Sequence, residues 1–169
     1  MTHSAGIALL DNDELRSAFA QFATGVTIIT TLDDEGQPHS MTANAFSSIC
    51  LDPPTVMVCI AHGTHTHGYL EKTSRFGVNI LKQEQQDLGA YFAKKPEDRD
   101  GGVEYHYSEA GDRVPVLDGS MVFFGCQVLG SHVYGDHTIY IGEVKEMRRS
   151  ESGAPLMFYN SRWYNPAEE

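Results

Sequence analysis

The chain is a succession of short strand-like runs separated by turn residues, with only two or three short helical patterns between them. Alternating apolar and β-branched residues predict strands at residues 26–31, 40–54, 55–61, 76–81, 122–133, 138–147 and 155–159. Amphipathic spacing predicts helices at residues 11–22, 63–73 and 83–93. Because long helices do not alternate with the strands, this order favours a mainly β protein with short helices, a closed or nearly closed barrel, over a doubly wound sheet.

The bulk properties of the sequence indicate one domain, residues 1–169, in which we expect residues 1–10 to be disordered and residues 94–115 to form a long loop. The net charge of −11 argues against nucleic acid as a partner, although it permits an anionic cofactor held by a few local donors. No window approaches the about 20 apolar residues of a membrane span, and there is no cationic leader. We therefore expect a cytoplasmic protein without a membrane partner.

Neither the cysteines nor the histidines predict a metal site. Cys50, Cys59 and Cys126 lie in separate apolar runs, and we expect them to be reduced and buried. The spacing of the histidines at 62, 65 and 67 does not suit a metal site, because on a helix the side chain at position 67 would face a different direction from that at position 62. No G-x-G-x-x-G, complete P-loop or G-x-S-x-G motif is present, so Rossmann, nucleotide-hydrolase and serine-hydrolase interpretations lack support.

The predicted strand at residues 40–54 has compact hydrogen-bonding side chains where a buried strand would carry valine or isoleucine. These side chains belong to Thr42, Asn44, Ser47 and Ser48. Two interpretations are open: an ordinary exposed face of a barrel, or a strand that offers polar groups to the edge of a flat ring system.

Three further segments carry weaker signals. A helix start with Thr64 and Thr66 suits a phosphate, because backbone N–H groups are unpaired there. The Gly-Asp-His run ending at His137 reads as an ordinary turn or as a histidine held at a strand mouth for a substrate. Aromatic residues 163 and 164 are typical of a lid on the core or a dimer contact rather than a cofactor wall.

Several motifs taken in order resemble a known family. They are residues 22–27 (FATGVT), 41–48 (MTANAFSS) followed by 51–54 (LDPP), 66–67 (TH), 76–81 (FGVNIL), 115–119 (PVLDG) and 135–144 (GDHTIYIGEV). The chain resembles the short-chain flavin reductases, the reductase components of two-component flavin-dependent monooxygenases, from about residue 15 to residue 164.

The resemblance implies an FMN-binding split β-barrel of Greek-key-like topology, usually a homodimer with flavin near the subunit interface. It also implies hydride transfer from NADH or NADPH to FMN or FAD, and release of diffusible reduced flavin to a partner monooxygenase. Two alternatives stay open: a protein with tightly bound FMN that passes electrons to a metal or corrinoid acceptor, and a non-enzymatic flavin-binding protein.

The resemblance also implies roles for individual residues. By similarity, the edge of the isoalloxazine ring lies along Thr42, Ala43 and Asn44. The ribityl chain and phosphate approach Ser47, Ser48 and Thr66. Weaker candidates for the flavin tail are Asn79 and Lys82. The nicotinamide side is occupied by His137, the candidate catalytic residue. The chain departs from the usual family pattern at positions 62 and 65, where members often carry Arg or another polar residue and this sequence has His.

Overall fold

The computed structural model describes residues 11–150 and 153–164, without the side chain of residue 112. The expectation that residues 1–10 are disordered lies outside the described residues. The helices within the described residues are α1 (Asn12–Phe19), α2 (His65–Thr73) and α3 (Gln86–Ala93). The strands within them are β1 (Thr24–Gly25), β2 (Thr27–Leu32), β3 (Pro38–Ala43), β4 (Phe46–Leu51), β5 (Pro54–Ala61), β6 (Arg75–Ile80), β7 (Tyr107–Glu109), β8 (Pro115–Leu117), β9 (Val122–Tyr134), β10 (His137–Arg149), β11 (Met157–Tyr159) and β12 (Arg162–Tyr164).

Seven of these strands form one antiparallel sheet in the order β3-β2-β6-β9-β10-β5-β4. Small sheets, β1-β11-β12 and β7-β8, lie beside it. The prediction of a mainly β protein with short helices is confirmed. The main sheet is not closed, since its two edge strands, β3 and β4, are not paired with each other. This is the open arrangement of a split barrel.

The prediction of one strand over residues 40–54 is wrong. The chain turns at residues 44 and 45, so that β3 and β4 form the two opposite edges of the sheet. The amide of Phe46 donates to the carbonyl oxygen of Asn44 (2.9 Å), and the amide of Cys59 donates to that of Ala45 (3.1 Å). No Gly or Pro occupies residues 39–52 to signal this break, and the alternation of side chains continues through it.

Two apolar cores lie on the two faces of β2. Ile29 packs in a cluster with Val58, Ile60 and Phe76, whereas its neighbour Ile28 packs in a second cluster near α3 and β11. Successive side chains of a strand point to opposite faces, so one β-branched strand supplies both cores.

The C-terminal aromatic segment closes the second core. Trp163 packs against that cluster and lies with its ring centroid 5.2 Å from that of Phe158. A Cβ atom added at Gly89 would lie 3.2 Å from the indole, so α3 approaches β12 closely only because residue 89 is glycine. The interpretation of the Arg-Trp-Tyr run as a lid on the core is confirmed.

The helix boundaries follow their capping residues. Asp11 Oδ1 accepts hydrogen bonds from the amides of Asp13 (3.0 Å) and Glu14 (2.9 Å) at the start of α1. This helix ends at Phe19, three residues before the predicted end, and Phe19 and Phe22 are 70% and 78% exposed. The apolar stripe that predicted α1 is therefore not packed against the described residues.

The three cysteines have different environments. Cys126 is buried, which raises the pKa of its thiol to about 12, and Cys59 is half-buried. Cys50 is exposed on β4, so the expectation that all three are buried is wrong at that position. Its run of apolar neighbours belongs to an edge strand rather than to the core. No described helix has the length and apolar character needed to cross a membrane.

Candidate functional site

The edge strand β3 presents backbone hydrogen-bonding groups on the side away from β2. The carbonyl oxygen of Ser40 accepts a hydrogen bond from Arg99 Nη2 (2.9 Å), which lies outside the sheet. In an antiparallel strand, alternate residues direct their N–H and C=O groups to the same side. The backbone groups of Thr42 therefore also point out from this edge, and Ala43 directs its carbonyl oxygen to Thr27 Oγ1 (2.7 Å).

The side chain of Thr42 has a structural partner. Its hydroxyl donates to the carbonyl oxygen of Gly89 in α3 (2.7 Å), and this bond holds the helix against β3. At this position β3 therefore offers a flat ligand its backbone groups rather than the Thr42 side chain. Asn44, at the exposed connection that follows β3, has an exposed side chain.

Ser47 and Ser48 lie on the other edge of the sheet, in β4. Both are exposed, and the Ser47 hydroxyl donates to the carbonyl oxygen of Ser48 (3.1 Å). Five of the six residues of β4 are exposed, including Ile49 at 48% and Leu51 at 93%. The candidates for the isoalloxazine edge and the serine candidates for the ribityl chain and phosphate therefore lie on separate edges of the sheet, and the turn at residues 44 and 45 connects them.

The N-terminus of α2 is fixed to β3 through a buried pair. Thr66 is fully buried, and its Oγ1 lies 2.9 Å from Nε2 of His39. Burial, followed by the nearby charge of Arg99, lowers the pKa of His39 to about 4, so the imidazole is neutral at pH 7. The Thr66 hydroxyl is thus engaged within the protein. The Thr64 hydroxyl is engaged as well, since it donates to the carbonyl oxygen of Ala61 (2.8 Å) and accepts from the amide of His67 (3.3 Å), so an anion at this helix start would meet the remaining backbone N–H groups.

A cavity of about 170 Å³ opens at this helix start. It is lined on one side by residues 63–66 and His39, and on the other by the segment that begins with Lys94 and Lys95. The lining also includes the acidic Glu97, and Lys94 is paired with Asp100 (3.2 Å), so the positive charge offered to an anionic group at this helix N-terminus comes mainly from Lys95. Sequence reasoning missed these lysines because they open the polar loop that follows α3.

Asn79 does not belong to this site. It is fully buried in β6, where its Nδ2 donates to the carbonyl oxygen of Ile28 (3.0 Å) and to Thr30 Oγ1 (3.3 Å). Its Oδ1 accepts the amide of Leu117 (2.9 Å). These bonds use the amide to join β6 to β2 and β8, so we remove Asn79 from the candidate flavin ligands.

Lys82 lies apart from the other candidates. It lines a separate cavity of about 350 Å³ with Asp118, Arg148 and Arg149, among others. That cavity shares no lining residue with the cavity at α2. The structure therefore does not bring Lys82 together with Thr66.

His137 lies at the tip of the hairpin between β9 and β10. The two-residue turn has Gly135 at its first position with φ 58°, a conformation that glycine adopts without strain. The Nδ1 of His137 lies 2.7 Å from Oδ1 of Asp136, and this hydrogen bond lowers the pKa of the Asp136 carboxyl. The imidazole is 47% exposed, so it is accessible to a substrate.

Two histidines that were predicted to lie apart are in contact. The ring centroids of His62 and His67 are 4.6 Å apart. The prediction failed because His62 precedes α2 in the turn that follows β5, where helical spacing does not apply. Each Nε2 lies within hydrogen-bonding distance of Thr138 Oγ1, at 2.9 Å for His62 and 3.1 Å for His67. Within residues 11–150 and 153–164, no three potential ligands are arranged for a metal ion.

The first turn of α2 thus connects the two halves of the site. Thr66 contacts His39 on β3, and the next residue, His67, contacts Thr138 beside His137. A strand edge with outward backbone groups, a cavity that Lys95 lines and an accessible histidine lie around one helix start. This combination suits a flat, anionic ligand with a second ring beside it.

Comparison with known proteins identifies the family. The model of the flavin reductase like domain matches residues 19–167. The chain is 39% identical to an NADH-dependent flavin reductase of Rhodococcus sp., over 86% of this chain and 81% of that protein. It is 36% identical to the NADH-dependent flavin reductase StyB of Pseudomonas fluorescens, over 97% and 96%. It spans only 49% of a third relative, the reductase component of a trigonelline monooxygenase of Acinetobacter baylyi.

Solved structures agree with this result. The flavin reductase PheA2 superposes with a TM-score of 0.86 at 36% identity, over 94% of this chain and all of that one. The NADH:FAD oxidoreductase SgcE6 of Streptomyces globisporus, solved with NAD and FAD fragments, superposes with a TM-score of 0.82 at 30% identity, over 94% and 96%. The chain therefore belongs to the flavin reductase-like family.

Proposed function

We propose that this protein is an NADH:flavin oxidoreductase that reduces FMN or FAD and supplies the reduced flavin to a partner monooxygenase. The observation that carries the proposal is the arrangement around the first turn of α2, which places the free edge of β3 and the exposed His137 on either side of one helix start. Family membership and relatives named NADH-dependent flavin reductases support it.

The residues present fit a flavin. The backbone of Thr42 supplies outward hydrogen-bonding groups, and the small side chain of Ala43 and the exposed connection at Asn44 beside it let a flat ring approach closely. The backbone N–H groups at the start of α2, with Lys95 beside them, suit the phosphate. When bound, the flavin supplies two-electron acceptor chemistry. The role of the β3 edge is then to orient the ring and to donate hydrogen bonds to the negative charge that reduction creates.

The hydrogen bond of His137 fixes which ring nitrogen faces the substrate. Because the Asp136 carboxylate accepts a hydrogen bond from Nδ1–H (2.7 Å), Nε2 is an acceptor in the tautomer that this bond selects. An acceptor at this position suits the amide N–H of a nicotinamide carboxamide. We therefore assign His137 to orienting the nicotinamide.

The exposed edge strand β4 supports a homodimer. An unpaired edge with apolar side chains such as Leu51 and Ile49 is a surface that proteins normally cover. We expect Leu51→Lys to shift the protein to monomer in sedimentation, and Glu35→Lys, an exposed charge change in the β2–β3 turn, to leave the assembly intact. A dimer that survives Leu51→Lys would place the interface elsewhere.

The test of the proposed activity is a matrix of NADH and NADPH against riboflavin, FMN and FAD, with purified protein and the loss of nicotinamide absorbance as the readout. Turnover with added flavin, and transfer of reduced flavin through a dialysis membrane to an acceptor, supports the proposal. Flavin binding without nicotinamide oxidation would refute the enzyme. Stoichiometric flavin that stays bound through purification would refute the diffusible product.

A further inference from the structure

The hairpin tip that carries His137 has little packing of its own. Asp136 and His137 have side chains that are 94% and 47% exposed, and the turn between the two strands has two residues. A histidine that orients a substrate must nevertheless be held in one position, since small displacements of positioning groups reduce turnover strongly. Some neighbouring group must therefore fix this tip.

His62 contacts the residues on both sides of His137. Its backbone amide donates to the carbonyl oxygen of Asp136 (2.9 Å), and its Nε2 lies 2.9 Å from the hydroxyl of Thr138. Thr138 is 2% exposed, so its hydroxyl is anchored inside the protein. One residue of the β5–α2 turn thus holds the hairpin tip at two points.

A second histidine completes the arrangement. His67, in the first turn of α2, lies with its Nε2 3.1 Å from the same Thr138 hydroxyl. A hydroxyl has one proton, so Thr138 donates to one imidazole and accepts from the other. This requirement fixes opposite tautomers for the two rings and orders His62 against α2. The Glu71 carboxylate lies nearby on the same helix, with its Oε1 3.8 Å from Nε2 of His67.

We propose that His62 is a positioning residue for His137, and that it acts through the shared hydroxyl of Thr138. The inference rests on the proposed role of His137 in binding the nicotinamide. His62 itself does not touch the substrate in this assignment.

The test uses His62→Phe, which keeps a planar ring and the backbone amide but removes the hydrogen bond to Thr138. We expect the KM for NADH to rise about fivefold, the effect of one ordinary hydrogen bond, while the KM for flavin stays unchanged. Thr138→Val should have the same effect, and the double variant should be no worse than either single variant. His62→Gln retains a donor and an acceptor and should restore the KM for NADH.

Two controls separate positioning from general damage. His106→Phe changes an exposed histidine, whose side chain is 74% accessible, and should leave both KM values unchanged. In the His137→Ala background, His62→Phe should have no further effect on NADH. Equal losses for NADH and flavin, full additivity with His137→Ala, or an unchanged KM for NADH would each overturn the inference.

The outcomes also separate this inference from the proposed function. If the unmodified protein oxidises no nicotinamide with any flavin, the proposed function fails and the inference fails with it. If His137→Ala impairs NADH use and His62→Phe does not, the proposed function stands and the inference alone is overturned. Should His62→Phe fail to fold, as judged by circular dichroism, Thr138→Val and His62→Gln give the same decision.

Discussion

Replacement of Asn79 by alanine distinguishes the buried role of this residue from the flavin contact that the sequence predicted. The substitution removes an acceptor from the amide of Leu117 and two donors, to the Ile28 carbonyl oxygen and to Thr30 Oγ1. The Leu117 amide projects away from β7 toward Asn79, so removal of the Asn79 side chain leaves this buried donor unpaired. We expect a large loss of stability and an unchanged affinity for flavin in the folded protein.

The magnitude follows from these three bonds. An unpaired buried donor costs about 1–3 kcal/mol, and each of the other two bonds contributes about 1 kcal/mol. The free energy of unfolding should therefore fall by about 4 kcal/mol. For a domain of this size, this lowers the Tm by roughly 8–16 °C.

Two measurements check this prediction. Urea denaturation gives the change in the free energy of unfolding, and quenching of flavin fluorescence, measured well below the transition, gives the affinity. Asn12→Ala truncates the same side chain at an exposed position and should change the stability little. A variant at position 79 that keeps its stability but loses flavin affinity would show that our reasoning is wrong and that Asn79 is a ligand.

Three further changes have defined outcomes. His39 has a pKa of about 4 in the folded protein and 6.5 in the unfolded chain, so the unfolded chain binds more protons between these pH values. The free energy of unfolding should therefore fall as the pH drops from 6.5 to about 4. In denaturation curves measured across this range, His39→Gln should reduce the fall. His137→Ala should lower turnover more than flavin affinity in steady-state and binding assays, whereas equal losses would indicate a structural role. In a thiol titration of the monomeric protein, the exposed Cys50 should react first. The buried Cys126, whose pKa is about 12, should react only after the protein is unfolded.

Much of the fold could be predicted from local patterns. The β-branched runs, the Asp-rich turn after β2 and the caps of α1 and α2 depend on neighbours within a few residues, and each predicted run contains the expected element. The division of residues 40–54 could not be predicted, because the turn at Asn44 depends on the curvature of the sheet and on the contact of Ala45 with Cys59. Sheet curvature is a property of long-range pairing.

The candidate site shows the same division. The sequence indicated polar groups on residues 42–48, but Thr42 uses its hydroxyl on Gly89 and Asn79 uses its amide in the core. Residue type alone does not distinguish a polar side chain that binds a ligand from one that pairs with a distant backbone group. The contact between His62 and His67 was equally hidden, because it depends on where β5 ends and α2 begins.

The position of α2 bears on how such a site sets the geometry of hydride transfer. Two consecutive residues of its first turn, Thr66 and His67, bond in different directions, to His39 on β3 and to Thr138 on β10. If β3 holds the flavin and His137 the nicotinamide, as proposed above, this single helical turn sets the distance between the two groups. On this argument, Thr66→Val, which breaks the bond to His39 on β3, should impair the use of flavin, whereas a substitution at His62 should impair only that of NADH.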